Sequence, residues 1–491
     1  MNNPTKVPLQ LPIQYGIERD VLINSSNLIN IYAVPEEQTT SKNVYLYASG
    51  FESPSSVGSD PIRAQFVYKG IQYLVSGISV YKRDSLGVVT FIGNISAGAG
   101  YVGITANQTQ IIFVDGSNGY IFDINTSTFT QIVFGFPITP VDVEMLDNYF
   151  IVINGGTQQF FVSAVGDGLT WDELKTANFQ STPDTLVAVF ALKRRLYLFG
   201  TQSIESWYDA GGTPFPLVRD NNALFEHGCI SPSTIKEGFE VMLYLSSNAN
   251  GAPAVMLVEG AANPRKVSTP PIDFFLQNAD DISQSDAILY KENGFTFYQI
   301  SFSVDDVTLV YVLETNRWHT LELRNGKRHP AISHSFSYGK HWIGVSDDNF
   351  LYELSYKFFT YRGDLIRCFI ITPPLYAENN NRIRVDNLYL EMATGLPGIT
   401  LPIQYANPQA NDLVITNEEP YVIISVSRDG GRTYGNGRRL DMGSIGQFIR
   451  IMQLRRLGCY KGRRVTFKIE FPFKIPFILI GAYVAYAVLL Q

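Results

Sequence analysis

Ile71–Lys82 reads IQYLVSGISVYK: an apolar run, a turn at Gly77, then a second run rich in β-branched and aromatic residues. That is the signal of a β-hairpin. The pattern returns at Ile111–Asp123 (IIFVDGSNGYIFD), Phe150–Val162 (FIVINGGTQQFFV) and Arg195–Tyr208 (RLYLFGTQSIESWY). The turn glycines Gly77, Gly116, Gly155 and Gly200 lie 39, 39 and 45 residues apart. A period near 40 with about four short strands per unit is what a propeller blade needs. One blade cannot bury its own faces, so blades must stack around a ring. Looser copies follow at Val241–Val258, Gly294–Leu321 and Ser337–Leu354. The count comes to six or seven units. The competing reading is a pair of ordinary β-sandwiches with accidental spacing.

Working outward from the repeat, residues 61–360 form the β-propeller, residues 1–60 an extended N-terminal arm, and residues 361–491 a C-terminal β-sandwich domain. The arm has little periodicity beyond the short apolar run Val44–Ala48. It is expected to reach a neighbouring subunit or to close the ring of blades, because a long unpartnered loop is costly in a compact fold. Within the repeat region, Ile272–Asp286 reads as a short helix or a loop. After Phe359 the strands lengthen: Arg367–Tyr376, Arg382–Met392, Tyr421–Ser427, Gln447–Leu457 and Arg464–Glu470. Along the second of these the alternation slips once between Val385 and Leu388. The whole is an all-β protein.

Composition agrees. With 491 residues, the chain exceeds one ordinary core. Hydrophobic residues make up 45% and charged residues only 17%, which excludes disorder and hints at surface covered by partners. Cys229, Cys368 and Cys459 are odd in number and far apart, so no disulfide framework follows and a reducing compartment is expected. The start of the sequence does not read as a signal peptide. Ile475–Gln491 is uncharged, but with Pro476 and Gly481 it reads as a buried pair of strands rather than a membrane helix. No membrane partner is expected.

Charge is uneven. Between Arg428 and Lys474 stand Arg428, Arg432, Arg438, Arg439, Arg450, Arg455, Arg456, Lys461, Arg463, Arg464, Lys468 and Lys474, opposed only by Asp429, Asp441 and Glu470. The chain as a whole is at −7, so the remainder is acidic. Arg428, Arg432, Arg438, Arg439, Arg455, Arg456, Arg463 and Arg464 are the candidate surface for a partner or for DNA. One reading pairs this face with acidic blades of a neighbour. The other brings it near DNA phosphates, transiently and without sequence preference, since no recognition helix is present.

Catalytic and ligand motifs give little. Ser427–Tyr434 (SRDGGRTY) resembles the Asp-box turn of sialidases, with Ser427, Asp429, Gly431, Thr433 and Tyr434 in the structural positions. Its chemistry is that of a turn: side-chain oxygens bond backbone N–H groups, and glycine permits positive φ. A diluted relative lies at Gly166–Trp171 (GDGLTW). A glycosidase needs two carboxylates across a pocket. Glu205 and Asp209 are candidates, but nothing ties them to one site. The five histidines show no metal-ligand spacing, and no phosphate loop or nucleophile elbow is found. No catalytic residue, cofactor or metal is expected. A glycan-binding or glycan-hydrolysing propeller is the alternative function.

Several stretches together resemble a known family. Asn30–Pro35 (NIYAVP) and Leu46–Phe51 (LYASGF) are similar to its opening, and Arg195–Trp207 to its central hairpin. Gly251–Gly260 (GAPAVMLVEG), Ile371–Asn379 (ITPPLYAEN), Arg455–Gly458 (RRLG), Arg464–Lys468 (RVTFK) and Ile480–Tyr483 (IGAY) follow in order. The family is the packaged DNA stabilization protein of short-tailed bacteriophages, also called tail hub, nozzle or head-completion protein. The resemblance implies a structural virion protein with a propeller and a C-terminal sandwich. It implies a homo-hexameric ring below the portal and its tail adaptor ring, with tailspikes or fibres and a tail needle or plug attached. Such a ring extends the channel for genome ejection and is assembled in the bacterial host cytoplasm.

Overall fold

The computed structural model describes residues 4–20, 24–35, 43–180, 184–259, 263–376, 381–393, 421–442, 449–461, 465–472 and 477–489. The chain forms two compact units. One comprises Glu52–Thr308 and Arg328–Ser355; the other comprises Met1–Phe51, Leu309–Lys327 and Tyr356–Gln491.

The first unit is the propeller. Its first blade runs Ile62–Tyr68, Ile71–Ser76, Ser79–Arg83 and Val89–Asn94. The second runs Gly103–Ala106, Gln110–Val114, Gly119–Asp123 and Thr128–Gln131, and the third Pro140–Leu146, Tyr149–Asn154, Gln159–Ala164 and Asp167–Asn178. The fourth is Leu186–Leu192, Arg195–Gly200, Ile204–Asp209 and Leu217–Phe225. The fifth is built on Val241–Ser247 and Ala254–Glu259, the sixth on Ser285–Glu292 and Phe295–Phe302, and the seventh on Ala331–Ser337, Lys340–Val345 and Phe350–Ser355. The described residues therefore form seven blades. All four quoted hairpins pair in antiparallel register, as with Leu74 opposite Tyr81 and Phe113 opposite Tyr120.

Each blade buries its faces against the next. Val75 and Tyr73 of the first pack with Ile111 and Phe113 of the second. Ile112 and Ile121 pack with Val143 and Phe150 of the third, whose Ile151 and Phe160 meet Leu196 and Trp207 of the fourth. The ring closes where the seventh blade meets the first. Trp342 and Leu351 pack on Ile62 and Leu74 there. Gln72 Nε2 donates to Ser335 Oγ at 2.8 Å, and Gln65 Nε2 to Ser333 Oγ at 3.0 Å.

The spacing glycines have two different jobs. Gly77 and Gly116 sit at φ 55° and 84°, as turn glycines should. Gly200 does not adopt positive φ. A Cβ there would lie 2.2 Å from Asp184 Oδ2. Asp184 accepts the backbone N–H groups of Thr201 (2.9 Å), Gln202 (2.8 Å) and Ser203 (3.1 Å). The aspartate organises this turn, and glycine makes room for it.

The second unit is the sandwich. One sheet orders Ile31–Pro35, Asn43–Tyr47, Ile478–Leu489, Arg382–Ala393 and Ile449–Lys461, with Thr5–Pro8 also on Ile478–Leu489. The other contains Arg317–Thr320, Asn27–Ile29, Cys368–Ile371, Thr466–Phe471, Tyr421–Ser427 and Arg438–Asp441 in that order. The segment read as an arm thus supplies paired strands here. Asn30 fixes its path. It is buried at φ 57°, its Nδ2 donates to the carbonyls of Glu322 (2.9 Å) and Arg367 (2.8 Å), and its Oδ1 accepts from Glu322 N–H at 3.0 Å.

Two local expectations change. Ile475–Gln491 was expected as two strands. The described residues there form one strand, Ile478–Leu489, paired to Arg382–Ala393 along its length, because no turn residue interrupts the apolar run after Gly481. No helix among the described residues is long and apolar enough to cross a membrane. Pro270–Asn278 is a helix, the outcome left open above. The slip along Arg382–Ala393 is a register shift between Val385 and Asn387.

Candidate functional site

Arg438–Asp441 ends one sheet of the sandwich and Ile449–Lys461 ends the other, among the described residues. The two terminal strands meet: Arg438 Nη1 donates to the Arg455 carbonyl at 2.8 Å. The basic residues therefore gather at one edge of the sandwich. A free strand edge invites pairing, and charged side chains are the usual guard. Arg428, Arg438, Arg439, Arg455 and Arg456 are exposed. Arg428 lies 6.0 Å from the Tyr460 ring, and Arg439 stacks 3.9 Å over Tyr421 while bonding Asp441 at 3.2 Å. Arg455 donates to Gln453 Oε1 at 3.0 Å, and Arg456 stands at φ 60°. Arg432 is turned elsewhere, onto Asp20 at 3.3 Å. Arg463 and Arg464 lie outside the described residues.

The turn at Ser427–Tyr434 adjoins this edge. Ser427 Oγ accepts from Gly431 N–H at 2.8 Å and donates to Asp429 Oδ1 at 2.7 Å. Asp429 accepts from Thr433 N–H (2.9 Å) and Thr433 Oγ1 (2.6 Å). Those Thr433 bonds, with Ser427, hold the carboxyl well below the usual range. Tyr434 Oη reaches Thr466 at 3.4 Å. Asp429 is consumed by the turn. Asp167 repeats the device on Leu169 N–H (2.9 Å) and Thr170 Oγ1 (2.6 Å).

A second feature was not read from the sequence. Inside the propeller lies a cavity of about 900 Å³, lined by one residue or more from every blade segment, among them Arg63, Glu144, Lys236, Asp286 and His334. Burial pushes Glu144 up to about 7 and His334 down to about 3, and it lowers Lys236 against the pull of Asp286 and Asp142. Behind it, Asp142 accepts from Val189 N–H (2.9 Å), Val143 N–H (2.9 Å) and Tyr101 Oη (3.1 Å). Burial raises it to about 7. The sequence signal lay in Arg63, Thr105, Glu144, Asp286 and His334, each on the first strand of its blade, while Leu186–Leu192 of the fourth blade carries no polar residue. Such a volume suits a small molecule, far short of a DNA duplex.

Glu205 and Asp209 do not form a carboxylate pair across this cavity. Glu205 is buried, accepting from Trp207 Nε1 at 3.1 Å and Gln180 N–H at 2.9 Å. Asp209 caps Gly211 N–H at 2.8 Å. No cluster of three or more histidine, cysteine or acidic side chains suited to a metal occurs among the described residues. Cys229, Cys368 and Cys459 are free thiols.

Residues 9–358 match the family described as bacteriophage P22 Gp10, beta-propeller, and residues 368–486 match bacteriophage P22 Gp10, beta-sandwich. The chain belongs to the P22 Gp10 family. Gp10-family proteins are the tail hub or nozzle proteins that stabilise packaged DNA, so this chain is a structural component of a phage virion tail. The family's propeller and sandwich are the two architectures described above. No curated protein matches the sequence. Among solved structures, the N-terminal domain of Nup159 is 10% identical over 66% of this chain and 97% of that chain, with a TM-score of 0.40. A streptogramin B lyase is 10% identical over 63% and 98%, with a TM-score of 0.43. Likenesses this distant carry no argument about Gp10-type function.

Proposed function

We propose that six copies of this Gp10-family chain close a ring below the portal and its adaptor ring. The ring stabilises packaged DNA, extends the ejection channel, and anchors tailspikes or fibres and the tail needle. It is assembled in the host cytoplasm and does no covalent chemistry. The observation that carries this reading is the family match over both domains. In this reading DNA passes between copies, since about 900 Å³ within one copy holds no duplex. Closed rings of this kind use head-to-tail contacts between different surfaces of identical subunits. DNA contact is transient and non-specific, because a chain at net charge −7 repels phosphate and leaves the duplex free to slide.

The test is mass by light scattering on a sizing column, for the chain alone and with the purified portal–adaptor complex. The monomer is 54.9 kDa. Six copies add about 330 kDa, on the head-to-tail ring. A chain that stays monomeric and ignores the portal–adaptor complex overturns the proposal.

A further inference from the structure

From Asp84 to Leu192, across the outer part of the first blade, the second and third blades and the start of the fourth, the only basic residue is Lys175. The same stretch carries Asp84, Asp115, Asp123, Asp142, Glu144, Asp147, Asp167, Asp172, Glu173 and Asp184. Several of these are used internally. Asp115 caps the Ser96 and Ala97 N–H groups, Asp142 and Asp184 make the bonds given above, and Asp147 pairs with Arg194 at 3.0 Å. Asp172 and Glu173 are exposed. They sit where the outer strand Asp167–Asn178 leaves its partner: Phe161 pairs with Thr176 and Ser163 with Trp171, so the residues between bulge outward.

The bulge itself is also apolar at its tip. Leu174, at the tip of the bulge, is 79% exposed, and Leu86 and Val133 of the first two blades are 87% and 83% exposed. Phe91 lies open on the outer strand Val89–Asn94. An exposed leucine on an outer strand, preceded by two exposed acids, is the composition of a docking surface, with an apolar centre and a charged rim. The complementary surface is on this same chain. The sandwich edge carries exposed Arg439, Arg455 and Arg456, with Ile451 beside them 58% exposed.

We infer that the exposed bulge Asp172–Leu174 on the outer strand of the third blade of one copy docks on the arginine edge of the sandwich of the next copy. The inference rests on the ring reading above and names its contact. The two surfaces differ in sign and lie in different parts of the chain, so the contact is heterologous and generates a ring rather than an isologous dimer. Opposite potentials fix the partner and the register, and apolar burial supplies most of the adhesion.

The experiment uses two charge-reversal variants of the full chain, each measured with the portal–adaptor complex by light scattering. One is Arg439→Glu with Arg455→Glu and Arg456→Glu; the other is Asp172→Lys with Glu173→Lys. All five positions are exposed, and circular dichroism and the thermal midpoint verify folding. Each variant alone is expected to lose ring assembly at least tenfold in the concentration required. An equimolar mixture is expected to recover it, since the two alternate around an even-membered ring with every contact joining opposite charges. Normal assembly of both folded variants overturns this contact while leaving the ring reading in place. Loss without recovery in the mixture also overturns the pairing. If the wild-type chain never assembles, the ring reading falls and this inference with it.

Discussion

The propeller and the sandwich solve the same problem with opposite chain economies. Each propeller blade is made from neighbouring residues: Ile71–Ser76 pairs with Ser79–Arg83 across a turn of two residues. The sandwich draws its strands from three distant parts of the chain, so Asn27–Ile29 lies between Arg317–Thr320 and Cys368–Ile371. Local pairing is secured by turn chemistry. Distant pairing needs a specific buried anchor, and Asn30 is that anchor. The contrast predicts that sensitivity to mutation concentrates in the sandwich at Asn30 and spreads in the propeller over repeated small devices.

The sharpest way to break this contrast is Asn30→Ala. It removes the side chain that bonds the half-buried Glu322 and Arg367 carbonyls and the Glu322 N–H, and it holds alanine at φ 57°. A loss of roughly 3 to 5 kcal/mol is expected, from several unsatisfied groups plus backbone strain. Denaturant unfolding measures it. A loss below about 1 kcal/mol, the scale of one ordinary hydrogen bond, removes Asn30 as the anchor.

Next comes a pH comparison inside the propeller. Burial raises Asp142 to about 7, above the value near 3.9 of an unfolded aspartate. Between those values the folded state holds a proton that the unfolded state does not. Stability from this group is therefore present below about pH 4 and lost as pH rises through about 7, at up to ~1.4 kcal/mol per pH unit. His319 in the sandwich has the opposite sign. Burial lowers it to about 3, so the unfolded state takes the extra proton below about pH 6.5, and stability falls as pH drops. Unfolding midpoints from pH 4 to 7 should change slope in opposite directions for Asp142→Asn and His319→Gln. Equal slopes in both variants and the wild type would falsify the assignment.

Glycine provides the finest division, within the propeller. Gly200→Ala pushes a methyl group into Asp184 and its three backbone bonds, with an expected cost of about 2 kcal/mol. Gly116→Ala meets no neighbour and costs only the positive φ, about 1 kcal/mol. Reversal of that order, read from thermal midpoints, would show that turn conformation rather than space for the aspartate sets the period.

Much of this was legible in the residues. The hairpins at 71–82, 111–123, 150–162 and 195–208 stand where apolar runs flank a turn, because such pairing is local and its signals lie within a dozen residues. The slip after Val385 was legible for the same reason. The axial set of Arg63, Glu144, Lys236, Asp286 and His334 was not, since these residues are brought together only when the ring closes. The two jobs of the spacing glycines were hidden too: sequence shows that a side chain is missing, not whether φ or space requires it.

By itself, the sequence determined the strand-turn-strand repeat, the second all-β domain and the segregation of positive charge after Arg428. These depend on periodicity and composition, which the linear chain carries openly. Tertiary structure alone decided that the described residues form seven blades, that Asn27–Pro35 and Asn43–Tyr47 join the C-terminal sheets, and that Arg438 and Arg455 share one edge. Each of these is a meeting of residues far apart in the chain. Such a meeting is selected by the summed burial and hydrogen bonding of the closed fold, and no local stretch records it.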